Sequence, residues 1–327
     1  MYDLIIIGSG PAGLSAALAA KRYQLNCLVI ERCVIANTVY HYPIAKPLFS
    51  TSNEIELNPG ALRSDSKPTR EEVLNHYIDV IRRESIQVHT GEAVQSVALF
   101  DGRFQVDTDL NRYPARAVLM ANGGFGRQRK LNAEGENSTR VSYRFSQAHP
   151  YATKPVLVVG GGNSAAEAAL FLEEAGADVT LSVRRSSLDD DGTGSGAMIK
   201  PWVREPLERA ASEGRINIIP SSRVVEIYSE SALLQIERDN DTDIVEIPCD
   251  HIFALIGADP DVELLRQAGA DIASDGRPVY SKNYETTVPG LYVAGHVTRE
   301  MHIKNAIEIG RLVVDHIASN VLEESMT

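Results

Sequence analysis

Short apolar runs recur along this chain, each closed by a glycine turn or a charged residue. The first, Leu4-Ile5-Ile6-Ile7, is continuous rather than alternating, the pattern of a strand buried on both faces of a parallel sheet. It runs into Gly8-Ser9-Gly10-Pro11-Ala12-Gly13, and small and apolar residues at helical spacing then predict a helix to about Tyr23. A second strand, Cys27-Leu28-Val29-Ile30, ends at Glu31. Further on the pattern predicts a helix over 70–83, a strand over 86–89, a hairpin around Asp101-Gly102 and a strand over 117–120.

The same order then repeats. Val156-Leu157-Val158-Val159 precedes Gly160-Gly161-Gly162-Asn163-Ser164-Ala165, a helix to about Ala175, a strand over 179–183 and the pair Arg184-Arg185. A helix near 202–213, a strand over 216–219, a β-meander and a strand over 251–255 complete the second copy. Strands alternating with helices across glycine turns predict parallel, doubly wound sheets. Residues 284–294, then Gly295-His296 and a helix over about 304–318, form a strand-turn-helix with no crossover after it. That reads as the closing piece of the first sheet. The expected architecture is α/β, two Rossmann-like, three-layer dinucleotide-binding domains with one inserted in the other. The outer domain is expected over 1–123 plus 251–327 and the inner over 124–250, with hinges at Gly123-Gly124-Phe125-Gly126 and near Asp250.

The copies differ in one interval. Gly8 to Gly91 spans 83 residues and the matching Gly160 to Ser221 spans 61, so the first copy carries about 22 more, within 36–66. This insert is rich in Tyr, His, Pro, Ser and Thr and lacks helical periodicity. Beside a nucleotide-binding turn it is placed to cover a cofactor or receive an acceptor; a surface loop without a role is the alternative.

Composition narrows the partners. The 327 residues allow two domains, and a net charge of −12 disfavours nucleic acid or an anionic membrane as a general partner. No apolar run approaches the roughly 20 residues that span a bilayer, and the first strand begins at once, so no signal peptide is expected. Three cysteines, Cys27, Cys33 and Cys249, form neither a CxxC pair nor a metal-ligand spacing, which fits a reducing, cytoplasmic setting.

Each glycine turn follows a strand and opens a helix, the context that gives this motif its chemistry. The first glycine permits the tight turn, the second lets backbone approach a pyrophosphate, and the third allows helix to pack on strand. The helix N-terminus adds N–H donors and partial positive charge. Glu31, 18 residues beyond Gly13, is placed to bind a ribose. In the second copy Ala165 stands third, and Arg184-Arg185 ends the strand where an acid would repel a 2′-phosphate, which favours NADPH over NADH. FAD with NADPH is the expected pair, and Gly290-Leu291-Tyr292-Val293-Ala294-Gly295-His296 offers a second turn for the flavin end. The expected FAD site comprises Gly8, Ser9, Gly10, Pro11, Ala12, Gly13, Glu31, Arg32, Asn37, Tyr42, Val94, Ala121, Asn122, Gly123, Gly295, His296 and Lys304. The expected NADPH site comprises Gly160, Gly162, Asn163, Ser164, Ala165, Glu167, Arg184, Arg185 and Gly257. Flavin-facing candidates in the insert are Tyr40, His41, Tyr42, Lys46, Ser50 and Thr51, whose rings could stack and whose hydroxyls or amine could hydrogen-bond; filling a loop core is the alternative. His302 and Lys304 could also reach the ring.

With these residues identified, the chain resembles the thioredoxin-reductase-like flavoproteins over nearly its whole length. The matching segments are IIIGSGPAG, VLVVGGGNSAAEAALFL, the arginine pair and GLYVAGHV. Within that superfamily VYHYPIAKPLFSTSNEIEL, KPTREEVLNHY and VTLSVRRSSL look like the bacillithiol-disulfide-reductase branch. The resemblance implies a homodimer, FAD in the outer domain, and hydride delivery from NADPH to flavin with rotation of the nicotinamide domain. Three departures matter. The segment Val141-Ser142-Tyr143-Arg144-Phe145-Ser146-Gln147 lacks the superfamily's CxxC, and Ala12 stands where the bacillithiol branch places a cysteine. His296 stands where an aspartate usually holds the flavin's ribityl chain, and Asn122 where a threonine is expected.

The leading expectation is therefore an NADPH-dependent flavoprotein passing electrons from FAD directly to an acceptor, a ferredoxin or small redox protein. Alternatives are a low-molecular-weight, bacillithiol-type disulfide reductase and a flavin- or NADPH-binding redox sensor. All three cysteines are expected to be ordinary packing or surface residues.

Overall fold

The computed structural model describes residues 1–62, 67–188, 199–238, 241–300 and 302–324, the last five without their side chains. The chain divides into two compact units, Met1–Arg127 with Ala258–Thr327, and Gln128–Gly257.

In the first unit four parallel strands stand in the order Val88–Thr90, Cys27–Glu31, Tyr2–Ile7, Arg112–Met120, and the antiparallel pair Arg103–Thr108 and Val94–Phe100 extends the sheet. Leu291–Val293 joins in parallel beside residues 118–120, so the late apolar strand does return to the first sheet. The register aligns the carboxyl ends. Ile7 pairs with both Ile30 and Met120, and the N–H groups of Gly8, Ala121 and Ala294 donate to Ile30, Ile7 and Met120. The first glycine turn, Glu31 and Gly295 thus lie along one sheet edge, where doubly wound folds bind ligands.

Helix Pro11–Arg22 is so rich in alanine that another helix can pack closely on it. Helix Ile303–Glu324 does: Ala16, Ala17 and Ala20 share a core with Val313, Val314 and Ile317, and the Ser15 hydroxyl donates to the Ile307 carbonyl at 2.7 Å. A Cβ at Gly310 would collide with the Ala12 carbonyl oxygen, so the crossing depends on a bare backbone there. This helix begins one residue before, and ends beyond, the span expected from periodicity.

The insert is no idle surface loop. Leu48, Ile55 and Leu57 are buried with Leu14, Leu18, Tyr77 and Ile307. Its backbone is gripped as well. Tyr77 donates to the Ile55 carbonyl, His76 accepts the Leu57 N–H at 2.9 Å, and Arg311 donates to the Leu57 carbonyl at 3.1 Å. Burial holds His76 below its usual pKa, which keeps the accepting nitrogen bare. Residues 63–66 of the insert lie outside the described residues.

The second unit repeats the plan. Ile216–Ile219, Asp178–Ser182, Pro155–Val159 and His251–Ala254 form a parallel sheet, with Val141–Ser142 at its edge. The meander Ser222–Ile227, Ser231–Arg238, Asp241–Pro248 packs Val224, Ala232 and Leu234 against Leu157 and Ile252. Both chain crossings fall a few residues later than 123 and 250. The reasons are local: Asn122 donates to the Asp261 carbonyl at 2.8 Å and a Cβ at Gly126 would stand 2.5 Å from the Asp261 Cβ, which keeps residues 122–126 with the first unit, while His251–Ala254 pairs with Pro155–Val159 and stays in the second. No helix among the described residues is long and apolar enough to cross a membrane.

Candidate dinucleotide sites

The two glycine turns share one steric pattern. In the first, Gly8 has φ +109° and a Cβ would strike the Ala121 carbonyl oxygen, while a Cβ at Gly13 would strike the Gly8 carbonyl oxygen. Around Gly10 nothing lies within 4 Å. In the second, Gly160 has φ +148° with the Leu255 oxygen 2.5 Å from its would-be Cβ, Ala165 is fully buried, and Gly162 again has nothing within 4 Å. First and third positions are closed by the protein itself; the second is open in both. That open position is where a pyrophosphate must approach backbone. The helices behind the turns, Pro11–Arg22 and Asn163–Glu174, have no side-chain cap, which leaves their first N–H groups for a ligand.

Glu31 is buried, and its carboxylate is set by the turn itself. Ser9 donates to Oε2 through both its N–H and its hydroxyl at 3.0 Å, and the Cys33 N–H donates to Oε1 at 2.9 Å. Three of roughly four acceptor positions are filled, and the carboxylate is held rigidly against the turn. The N–H of Ala36, whose φ is +51°, donates to the Ser9 carbonyl and brings Asn37 alongside the turn. Arg32 is exposed, and Val94 is half-buried opposite Thr108.

At the end of the second unit's strand, Arg185 donates to the Gly161 carbonyl at 2.5 Å, so its guanidinium lies against the glycine turn; Arg184 is exposed. Asn163 accepts the Lys200 N–H at 2.8 Å, Ser164 is exposed on the first helical turn, and Glu167 is buried behind it. Gly257, φ +87°, accepts the Arg129 N–H. The acidic run Asp189-Asp190-Asp191 lies outside the described residues.

The C-terminal turn reaches the first one. A Cβ at Gly295 would stand 3.0 Å from the Ala12 Cβ, which places His296 next to the first glycine turn. Asn122 directs its amide nitrogen at Asp261, and its buried Oδ1 has no partner among the described residues. Gly123, φ +77°, is unobstructed. The insert candidates make separate local contacts. Lys46 sits over the rings of Tyr42 and Phe49 at 5.3 and 4.7 Å, Tyr40 stacks with Arg70 and contacts His41, and Ser50 is half-buried. Thr51 caps helix Ser52–Ile55 and donates to Glu54, which in turn pairs with Lys304 at 3.6 Å. His302 precedes the last helix and accepts the Ala306 N–H.

No thiol stands at either turn. Cys27 packs behind the sheet, where burial and then Asp3 push its pKa up to about 12. Cys249 is buried in the second unit with its thiol also raised by burial. Cys33 is exposed beyond Glu31, its N–H bonded to that carboxylate.

This doubled arrangement matches the family model of pyridine nucleotide-disulphide oxidoreductases over residues 5–295. The chain belongs to that family. Among its relatives is the bacilliredoxin reductase Bdr of Bacillus subtilis, 32% identical over 97% of this chain and 96% of the relative. A ferredoxin–NADP reductase of Ignicoccus hospitalis is 28% identical over 91% and 90%. Of solved structures, the bacillithiol disulfide reductase Bdr (YpdA) of Bacillus cereus superposes with a TM-score of 0.90 at 31% identity, covering 98% of this chain and 99% of that one.

Sequence reasoning missed the Ser9–Glu31 tie, the Arg277 and Asp261 contacts, and the packing of Gly124. Paired glycines at 123–124 were the one available signal, and they read as a hinge.

Proposed function

We propose that this chain is an NADPH-dependent flavoprotein oxidoreductase that holds FAD at the first glycine turn and NADPH at the second. Electrons pass from the flavin to an acceptor with no protein thiol between. The carrying observation is the pair of turns, each closed at its outer positions and open in the middle, one ending its second strand in Glu31 and the other in Arg184-Arg185. Bound FAD would supply the two-electron chemistry; the residues' part is to orient it. Glu31 takes ribose hydroxyls, the helix N-termini take the phosphates, and the arginine pair takes a 2′-phosphate.

Sulfur bears on the choice of acceptor. Ala12, buried and packed beside Gly295, leaves no thiol at the turn, which favours a ferredoxin or small redox protein that takes electrons directly. The relative named ferredoxin–NADP reductase supports this. A second reading, direct reduction of a bacillithiol-type disulfide, is supported by the Bdr relative and structure. In either case the resemblance points to a homodimer. Anaerobic titration of the yellow protein should bleach the flavin with NADPH and far less with NADH; failure of both removes the electron path and leaves a sensor. Turnover of ferredoxin against a bacillithiol-type disulfide then separates the two acceptors.

A further inference from the structure

His296 is fixed through its backbone and packed by Gly124 and Phe125. Arg277 donates to the His296 carbonyl at 2.8 Å and to the Thr298 carbonyl, and Thr298 donates back to Gly295, which fixes the backbone. The imidazole lies flat on Gly124: a Cβ there would stand 2.6 Å from both Cγ and Cδ2 and 3.0 Å from Nδ1. The Phe125 ring meets it edge-to-face at 4.9 Å and 86°. Gly124, unlike Gly123, has no left-handed backbone, so the ring and not the main chain requires glycine there. Among the described residues neither ring nitrogen has a hydrogen-bond partner, although the group is half-buried beside the contact between Gly295 and Ala12. The ring nitrogens are not among the buried unpartnered atoms, so they stay open to exchange water for a hydrogen bond to a bound group.

We propose that Gly124 and Phe125 are positioning residues that hold His296 as an uncharged hydrogen-bonding group for a hydroxyl of the FAD expected at the first glycine turn. The inference rests on that cofactor reading. Burial, then the charges of Arg277 and His302, push the His296 pKa down to about 4, so the ring is neutral throughout the working range. The ring can therefore donate from one nitrogen and accept at the other without adding a charge beside the cofactor.

The test is a double-mutant cycle on apoprotein reconstituted with FAD, read by quenching of FAD fluorescence, with thermal melts of each apoprotein alongside. His296→Ala should weaken FAD binding about tenfold, one ordinary hydrogen bond, and His296→Gln should restore most of it. Gly124→Ala should weaken binding as much, because the new methyl displaces the ring. The pair Gly124→Ala/His296→Ala should bind like His296→Ala alone and melt no lower. Losses that multiply in the double variant, or unchanged FAD binding in His296→Ala, would overturn the proposal. Should the wild type take up no FAD, the cofactor reading falls by itself. The melts then still decide the clamp, since Gly124→Ala must destabilise only while the imidazole is present.

Discussion

Glu31 and Arg184-Arg185 occupy the same place in two copies of one plan, the end of the second strand beside a glycine turn, and carry opposite charge. Around them the turns are sterically alike, closed at Gly8 and Gly13 or at Gly160 and Ala165, and open at Gly10 or Gly162. Yet the two ends are fastened differently. Glu31 is locked from the turn outward by Ser9, whereas Arg185 reaches inward to the Gly161 carbonyl. The difference teaches that like turns can carry unlike strand ends, and under the proposed function the turns would hold the dinucleotides while the strands' last residues would choose between them.

The largest effect should come from swapping closed for open positions. Gly13→Ala drives a methyl into the Gly8 carbonyl and should destabilise the first unit by about 3 kcal/mol, seen as a drop in thermal midpoint. Gly10→Ala and Gly162→Ala should leave stability within about 0.5 kcal/mol while weakening their own dinucleotide more than tenfold. Equal destabilisation at all three positions would break the comparison. Next comes charge. Arg184→Ala should lower kcat/KM for NADPH by about 10- to 100-fold, the loss of a charged hydrogen bond, and leave NADH nearly unchanged. Arg185→Ala should cost both coenzymes, because its guanidinium also supports the Gly161 carbonyl.

A smaller effect is set by pH. His76, His251 and His296 are all held below the usual imidazole value by burial. The unfolded chain therefore binds more protons than the folded one below pH 6.5. The penalty is absent above that value, grows as pH falls, and saturates for His296 below about 4. Melts between pH 7 and 4.5 should show stability falling, and His296→Gln should remove about 1–2 kcal/mol of that loss. The smallest change should be Ser9→Ala, which removes one of two donors to Glu31 Oε2 and should weaken FAD binding by about 1 kcal/mol; no change would detach the carboxylate from the turn.

The strands were legible because continuous apolar runs admit few other fates. The run read as Cys27 to Ile30 with Glu31 behind it became Cys27–Glu31, and the second copy's first strand gained only Pro155. The glycine roles were legible from the strand-turn-helix motif, although the carbonyls that close Gly8 and Gly160 come from Ala121 and Leu255, far along the chain. The insert was not, since its order depends on His76, Tyr77 and Arg311, distant residues with no pattern linking them to Ile55 and Leu57. His296 and Gly124 illustrate the same limit: each glycine carries a possible reason of its own, and only the ring lying on one of them tells which reason applies.

The placement of Leu291–Val293 within the first sheet bears on the order in which a growing chain can mature. As it leaves the ribosome, the contiguous unit Gln128–Gly257 can close as soon as it is clear of the exit tunnel. The unit begun first must wait with its sheet short of one strand and its alanine-rich helix bare until the final segment emerges. The earliest residues made are thus among the last to be completed.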